Sequence, residues 1–256
     1  MTGIAAALNT IHNLGRKSTG VVKEGEERSG RHADIKPENI LWFRQIPNHQ
    51  YQAGASVGDQ DGGVLQITDF GLGRFHGRDS TEPQPNGVFG SPTYEPPECR
   101  LHRPVSRAYD LWSLGCLYLE FATWLIMGSE AIDDFSTHRL RPSRLDPKFS
   151  EDYFFTVVKD EAGGMDAEVR DGVLSWAQTL HEHRGCSRFI HDLVDLVMKH
   201  LLVIKAADRI HARDLCVRFN DFLKKAEIDD DYLCTPVPRS NEKNQRSQER
   251  VLALSL

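Results

Sequence analysis

The sequence has little of what marks secreted, membrane-spanning or nucleic-acid-binding chains. It holds five cysteines in 256 residues. Cys99, Cys116, Cys186, Cys216 and Cys234 are scattered, and no CxxC pair occurs. That argues against a disulfide framework and for a reducing intracellular compartment, cytoplasmic or nuclear. No apolar run reaches the roughly 18–20 residues that cross a bilayer. The most apolar stretch, residues 111–127, carries Glu120 and follows Asp110, so no membrane partner is expected. The opening MTGIAAALNTIHNLG lacks the basic start and long apolar centre of a secretory signal. A basic excess is missing too: 31 Lys and Arg against 37 Asp and Glu give a net charge of −6, which predicts no nucleic-acid partner. No internal repeat is visible. What remains, 39% hydrophobic and 27% charged, suits a globular domain with a sizeable core.

Periodicity sets coarse expectations. Ile4, Leu8, Ile11 and Leu14 recur at helical spacing. Residues 15–30, polar and glycine-rich, read as a surface loop. Two short apolar runs, residues 40–43 and 64–67, are separated by a polar stretch and predict a hairpin with an enlarged loop. Residues 106–127 are apolar nearly all round, the pattern of a buried central helix. Residues 128–165 show weak periodicity; loops and a short helix near residues 153–159 are expected. Helices are predicted over 167–180, 188–202 and 211–225, and a disordered tail over 228–256.

The chain is organised around residues 31–43, RHADIKPENILWF. Within it stand His32, Asp34, Lys36 and Asn39. Thirty residues after Asn39 comes Asp69-Phe70-Gly71, and PTYEPPE occupies residues 92–98. A carboxylate such as Asp34 can orient a hydroxyl and take its proton. Asn39 and Asp69 offer oxygens, which a hard Mg²⁺ ion prefers. The spacings match H-R-D-x-x-x-x-N, D-F-G and A-P-E in the correct order. On these motifs the sequence resembles the C-terminal lobe of eukaryotic-type serine/threonine protein kinases, over residues 1–227. The fold implied is the α+β protein-kinase-like one, here mainly α: a helical lobe with a small β-hairpin carrying the catalytic edge.

The resemblance implies transfer of the ATP γ-phosphate to protein serine or threonine. Asp34 and Lys36 are then catalytic, and Asn39 and Asp69 hold Mg²⁺. Leu41 lies beneath the adenine, and Ser91 sits near Asp34 and Lys36. His32 and Phe70 join the hydrophobic column between lobes, with Gly71 completing D-F-G. Asp110 accepts hydrogen bonds from catalytic-loop amides. Glu98 pairs with Arg209, fixing the activation segment to the helical core. ATP and a protein substrate are the implied ligands.

Two departures qualify this. Ala33 replaces the arginine that meets an activation-loop phosphate, so phosphorylation at Ser80 or Thr81 is not expected to be the switch. Only 33 residues precede Asp34, and they hold no glycine-rich loop or strand lysine; Lys17 and Lys23 fall in the polar loop. A partner covering the exposed N-lobe face is therefore an expectation, and a binding or decoy module without catalysis stays open beside the enzyme. Gly71, Gly73 and Gly77 do not fit G-x-G-x-x-G. Glu95 reads either as a substrate-edge charge or as an ordinary solvated one. His181, His183, Cys186 and His191 are metal-ligand types, but HEHRGCxxxxH matches no ligand template, and a surface turn between helices is predicted.

Overall fold

The computed structural model describes residues 1–13, 29–43, 63–76, 90–143, 148–237 and 239. Helix α1, Thr2–His12, buries Ile4, Leu8 and Ile11 on one stripe. Four short strands follow: β1 (Ser29–Arg31), β2 (Ile40–Phe43), β3 (Val64–Ile67) and β4 (Arg74–His76). β2 pairs antiparallel with β3, Ile40 opposite Ile67 and Phe43 opposite Val64. β1 pairs antiparallel with β4, so the outer pair brackets the inner hairpin. The loop within that hairpin lies outside the described residues, as do nearly all of residues 15–30 and most of residues 72–91, with Ser80 and Thr81.

A short helix α2 (Pro97–Arg100) leads to α3 (Ala108–Met127), the axis of the molecule. Every residue of α3 from Tyr109 to Glu120 is buried, and Gly128 closes it with φ of +90°. Then come α4 (Glu130–Arg139), the paired β5 (Arg141–Pro142) and β6 (Ser150–Glu151), and the paired β7 (Phe155–Lys159) and β8 (Met165–Val169). Helices α5 (Asp171–Glu182) and α6 (Arg188–Leu196) pack beside α3, with a π-turn at Val197–Leu201. The last are α7 (Ala212–Ile228), which packs on α1, and α8 (Asp231–Cys234). The architecture is mainly helical, and all four sheets of the described residues have two strands.

Trp112, Leu114, Cys116 and Leu119 of α3 are fully buried against Phe135, Leu180, Leu193 and Val194. Each large side chain of this kind contributes about 1.5–3 kcal/mol by leaving water. Arg139 is buried among them, its guanidinium 4.1 Å from the Phe135 ring and 4.2 Å from that of Phe154. It donates to Glu120 at 3.1 Å, and Tyr94 donates to the same carboxylate at 2.8 Å. Burial raises the Glu120 carboxyl above its ordinary value even with Arg139 beside it.

Three expectations are corrected. Residues 153–159 hold strand β7, not a helix, because Thr156, Val157 and Val158 are β-branched and pair with β8. The helix expected from residue 167 begins at Asp171, since Ala167 to Val169 complete β8. The chain is also ordered past residue 228. α8 follows α7, Ser187 bridges to Pro236, and the Val237 and Arg239 amides donate to Cys186 O and His181 O at 2.6 and 2.9 Å. Residues 240–256 lie outside the described ones.

Candidate active site

The loop between β1 and β2 is tied to α3 through one carboxylate. Asp110 is fully buried and accepts from the amides of His32 at 2.9 Å and Ala33 at 2.8 Å. His12 of α1 adds a contact at 2.9 Å. These bonds hold Ala33 at φ +67°, a left-handed conformation that an alanine rarely adopts. His32 donates from Nε2 to Thr68 O at 2.9 Å and accepts the Asp34 amide at Nδ1, 3.3 Å away. Its ring meets Phe70 edge-on at 4.9 Å.

Asp34 is thereby presented to a cluster of donors. Its Oδ1 accepts from the Ser91 amide at 3.0 Å and the Ser91 hydroxyl at 3.2 Å. Its Oδ2 accepts from Asn39 Nδ2 at 3.0 Å and pairs with Lys36 Nζ at 3.0 Å. Lys36 also donates to Ser91 Oγ at 2.8 Å, and Asn39 to Asp34 O at 2.8 Å. Burial alone would raise the Asp34 carboxyl. The bonds from Lys36 and Ser91 outweigh it and hold the group below the ordinary range. Asp34, Lys36, Asn39 and Ser91 thus form one connected group.

The hairpin brings the next motif alongside. Thr68 donates to Asn39 O from its amide at 2.9 Å and its hydroxyl at 3.2 Å, which sets Asp69 one residue from Asn39's backbone. Asp69 is exposed at φ +60°, and its Oδ1 accepts the Gly71 amide at 3.1 Å. Leu41 and Phe70 are both exposed, at 44% and 51%.

On the other side, Glu98 and Arg209 are buried and doubly bonded at 2.8 and 2.7 Å. Arg209 also donates to Ala108 O, Val203 O and Ile204 O. Glu95 is neither a substrate-edge charge nor a solvated one: it is buried and bonded to Arg100 at 3.1 Å, and Arg100 bonds on to the Tyr153 hydroxyl. Sequence reasoning also missed Gly90. A Cβ there would sit 2.4 Å from Ala33 O and 2.8 Å from the Tyr109 hydroxyl, so only glycine lets this segment approach Asp34. The available signal was a glycine directly before Ser91.

Comparison with known proteins identifies the family. The protein kinase domain family matches residues 1–216. Serine/threonine-protein kinase 17A of Oryctolagus cuniculus is 32% identical over 128 residues, covering 49% of this chain and 27% of that protein. Serine/threonine-protein kinase nekl-2 of Caenorhabditis elegans is 34% identical over 89 residues, 35% of this chain and 20% of the relative. 3-phosphoinositide-dependent protein kinase 1 of Rattus norvegicus is 30% identical over 94 residues, 37% and 14% respectively. The chain therefore spans about a quarter or less of the length of these relatives. With the family matched over most of the sequence, this chain belongs to the protein kinase domain family.

Proposed function

We propose that the chain carries the catalytic lobe of an ATP-dependent serine/threonine protein kinase. The observation that carries this reading is the single hydrogen-bonded group of Asp34, Lys36, Asn39 and Ser91. Asp34 accepts the proton of a substrate hydroxyl as that oxygen bonds to the γ-phosphorus, while the bond to the β-phosphate oxygen breaks and ADP leaves. A carboxyl held below its ordinary range is ionised at neutral pH and ready for this task. Lys36 places an ammonium beside the transferred group. Leu41 forms part of the floor under the adenine.

The donor set fits Mg²⁺. Asn39 spends its Nδ2 on Asp34, leaving Oδ1 without a hydrogen bond among the described residues, and Asp69 keeps Oδ2 in the same condition. Amide and carboxylate oxygens suit a hard cation. When bound, Mg²⁺ would be held by Asn39 and Asp69 and would supply positive charge against the phosphates. Asp110, Glu98 and Arg209 act on the chemistry only through the loops they hold.

MgATP is expected to raise the melting temperature, and Asp69→Asn to abolish the rise. Asp34→Asn should keep the rise but lower phosphotransfer at least about 100-fold. A melting curve indifferent to MgATP, with Asp69→Asn like the parent, would sink the reading. One observation favours a second reading, a binding module covered by an apolar partner surface: Leu41, Trp42, Phe43 and Phe70 are all exposed. That module would bind its partner equally well with Asp34→Asn and show no phosphotransfer.

A further inference from the structure

The end of α5, the turn after it and the start of α6 bring together three side chains unused by the kinase chemistry. His181, Cys186 and His191 are buried, with one ligand atom from each inside a span of 4.8 Å. The two imidazoles stack, their planes 13° apart, with Nδ1 facing Nδ1 at 2.7 Å. Cys186 Sγ stands 3.6 Å from His191 Nδ1. The outer nitrogens face acceptors: His191 Nε2 is 2.6 Å from Val237 O, and His181 Nε2 is 3.5 Å from Asp195 Oδ1.

The proton count is awkward without a cation. A neutral imidazole carries one N–H. Val237 O only accepts, so the His191 proton sits on Nε2 and its Nδ1 bears a lone pair. The Asp195 carboxylate, 3.5 Å away, favours a proton on His181 Nε2 as well, though less strongly. Two lone pairs then meet across 2.7 Å. Moving the His181 proton to Nδ1 relieves that contact but turns a lone pair on the carboxylate. A divalent cation bound by both Nδ1 atoms resolves the conflict, because each Nε2–H keeps its acceptor. Metal-bound imidazoles are oriented in this way, by a carbonyl or a carboxylate on the far nitrogen.

We propose that His181, Cys186 and His191 form a three-ligand zinc site whose fourth position is left to water, fixing the C-terminal segment to the helical core. Nitrogen and thiolate donors select zinc over magnesium. Tetrahedral zinc, with bonds of about 2.0–2.1 Å to nitrogen and 2.3 Å to sulfur, sets N and S about 3.6 Å apart and two nitrogens about 3.3 Å apart. The Cys186–His191 distance already meets the first; the two rings must part by about 0.6 Å, and Cys186 must close on His181 from the 4.8 Å span to about 3.6 Å. Cys186 is a free, buried thiol. Binding therefore forms an S–Zn bond and releases one proton to solvent. The segment so fixed already lies over the site: the Val237 and Arg239 amides donate to Cys186 O and His181 O, and Arg239 reaches Asp195 at 3.2 Å. The sequence reading set a metal aside here because HEHRGCxxxxH fits no short template. The fold supplies the site by folding α6 back on α5.

The test uses the full chain, stripped by chelator and titrated with cobalt(II). One equivalent is expected, with tetrahedral d–d bands and a thiolate charge-transfer band. Equimolar zinc should erase both and raise the melting temperature. Cys186→Ser should lose the charge-transfer band. Asp195→Asn, a partly exposed change that leaves the core intact, should weaken cobalt binding at least tenfold. Absence of tetrahedral bands in the parent chain, or a charge-transfer band that survives Cys186→Ser, would overturn the site.

Discussion

Asp110 carries more structural consequence than any other single residue of the candidate site. One carboxylate satisfies two loop amides and contacts His12, so it joins α1, the loop and α3 at a fully buried point. Asp110→Asn would turn an NH₂ group toward one of those amides and leave a buried donor unmatched. We expect a loss of about 2–3 kcal/mol in urea denaturation, since an unsatisfied buried polar group costs about 1–3 kcal/mol. Asp34 invites a different experiment. Its carboxyl lies below the ordinary 3.8 because Lys36 and Ser91 outweigh burial. A carboxyl depressed by folding contributes stability above its unfolded value, and that stability disappears as pH falls through the folded value. Lys36→Met should raise the Asp34 value, as read by carboxyl-carbon NMR. The stability gap between variant and parent should narrow in acid; a gap constant from pH 6 to 3 would mean that the pairing contributes nothing. At this scale the motif residues were legible because their chemistry is stated by type and spacing. Glu95 and Gly90 were not. What decides them is a neighbour 5 residues away in one case and contact with Ala33 in the other.

Elements built on a strong period were readable; of those built on pairing, the β2–β3 hairpin was and the β7–β8 pair was not. Ile4, Leu8 and Ile11 announce α1, and the apolar run of α3 announces a buried axis. Helix α4 lies in a stretch with few apolar residues because it buries Arg139 beside Phe135 and Ala131, and a buried arginine looks like surface in a sequence. β7 and β8 were misread although the cues were present. Thr156, Val157 and Val158 favour a strand, and the turn at residues 160–164 is closed by Asp160, whose carboxylate accepts the amides of Ala162 and Gly164. Gly115 shows how packing overrides propensity. Alanine would favour the helix by about 1 kcal/mol. Its Cβ, however, would lie 2.9 Å from Leu201 Cβ and 3.0 Å from Leu202 Cδ2, where the π-turn crosses α3. Overpacking of that kind costs about 1–3 kcal/mol. Gly115→Ala should therefore lower the melting temperature; an increase would show that the π-turn yields without cost.

For the molecule as a whole, the telling contrast is between the closed helical body and the open hairpin. Among the described residues no helix is long and apolar enough to cross a membrane. In a strand with one covered face, alternate residues are buried. In β2 only Ile40 is half-buried, while Leu41, Trp42 and Phe43 are all exposed, and Phe70 is exposed beyond β3. Side chains on both faces of the strand therefore stand in water, and a two-stranded hairpin is marginal without cover. The sequence could name these residues as apolar but could not say that they stand exposed among the described residues, because that depends on where the rest of the fold goes. If the strip is a surface made for contact, the Leu41→Ser and Phe43→Ser double variant should bind less of a hydrophobic dye such as anilinonaphthalene sulfonate. It should also stay monomeric to higher concentration in sedimentation experiments. Its unfolding midpoint should move little, because neither side chain is part of the core. A large drop in that midpoint would place the two residues among the folding contacts and remove the case for a covering surface.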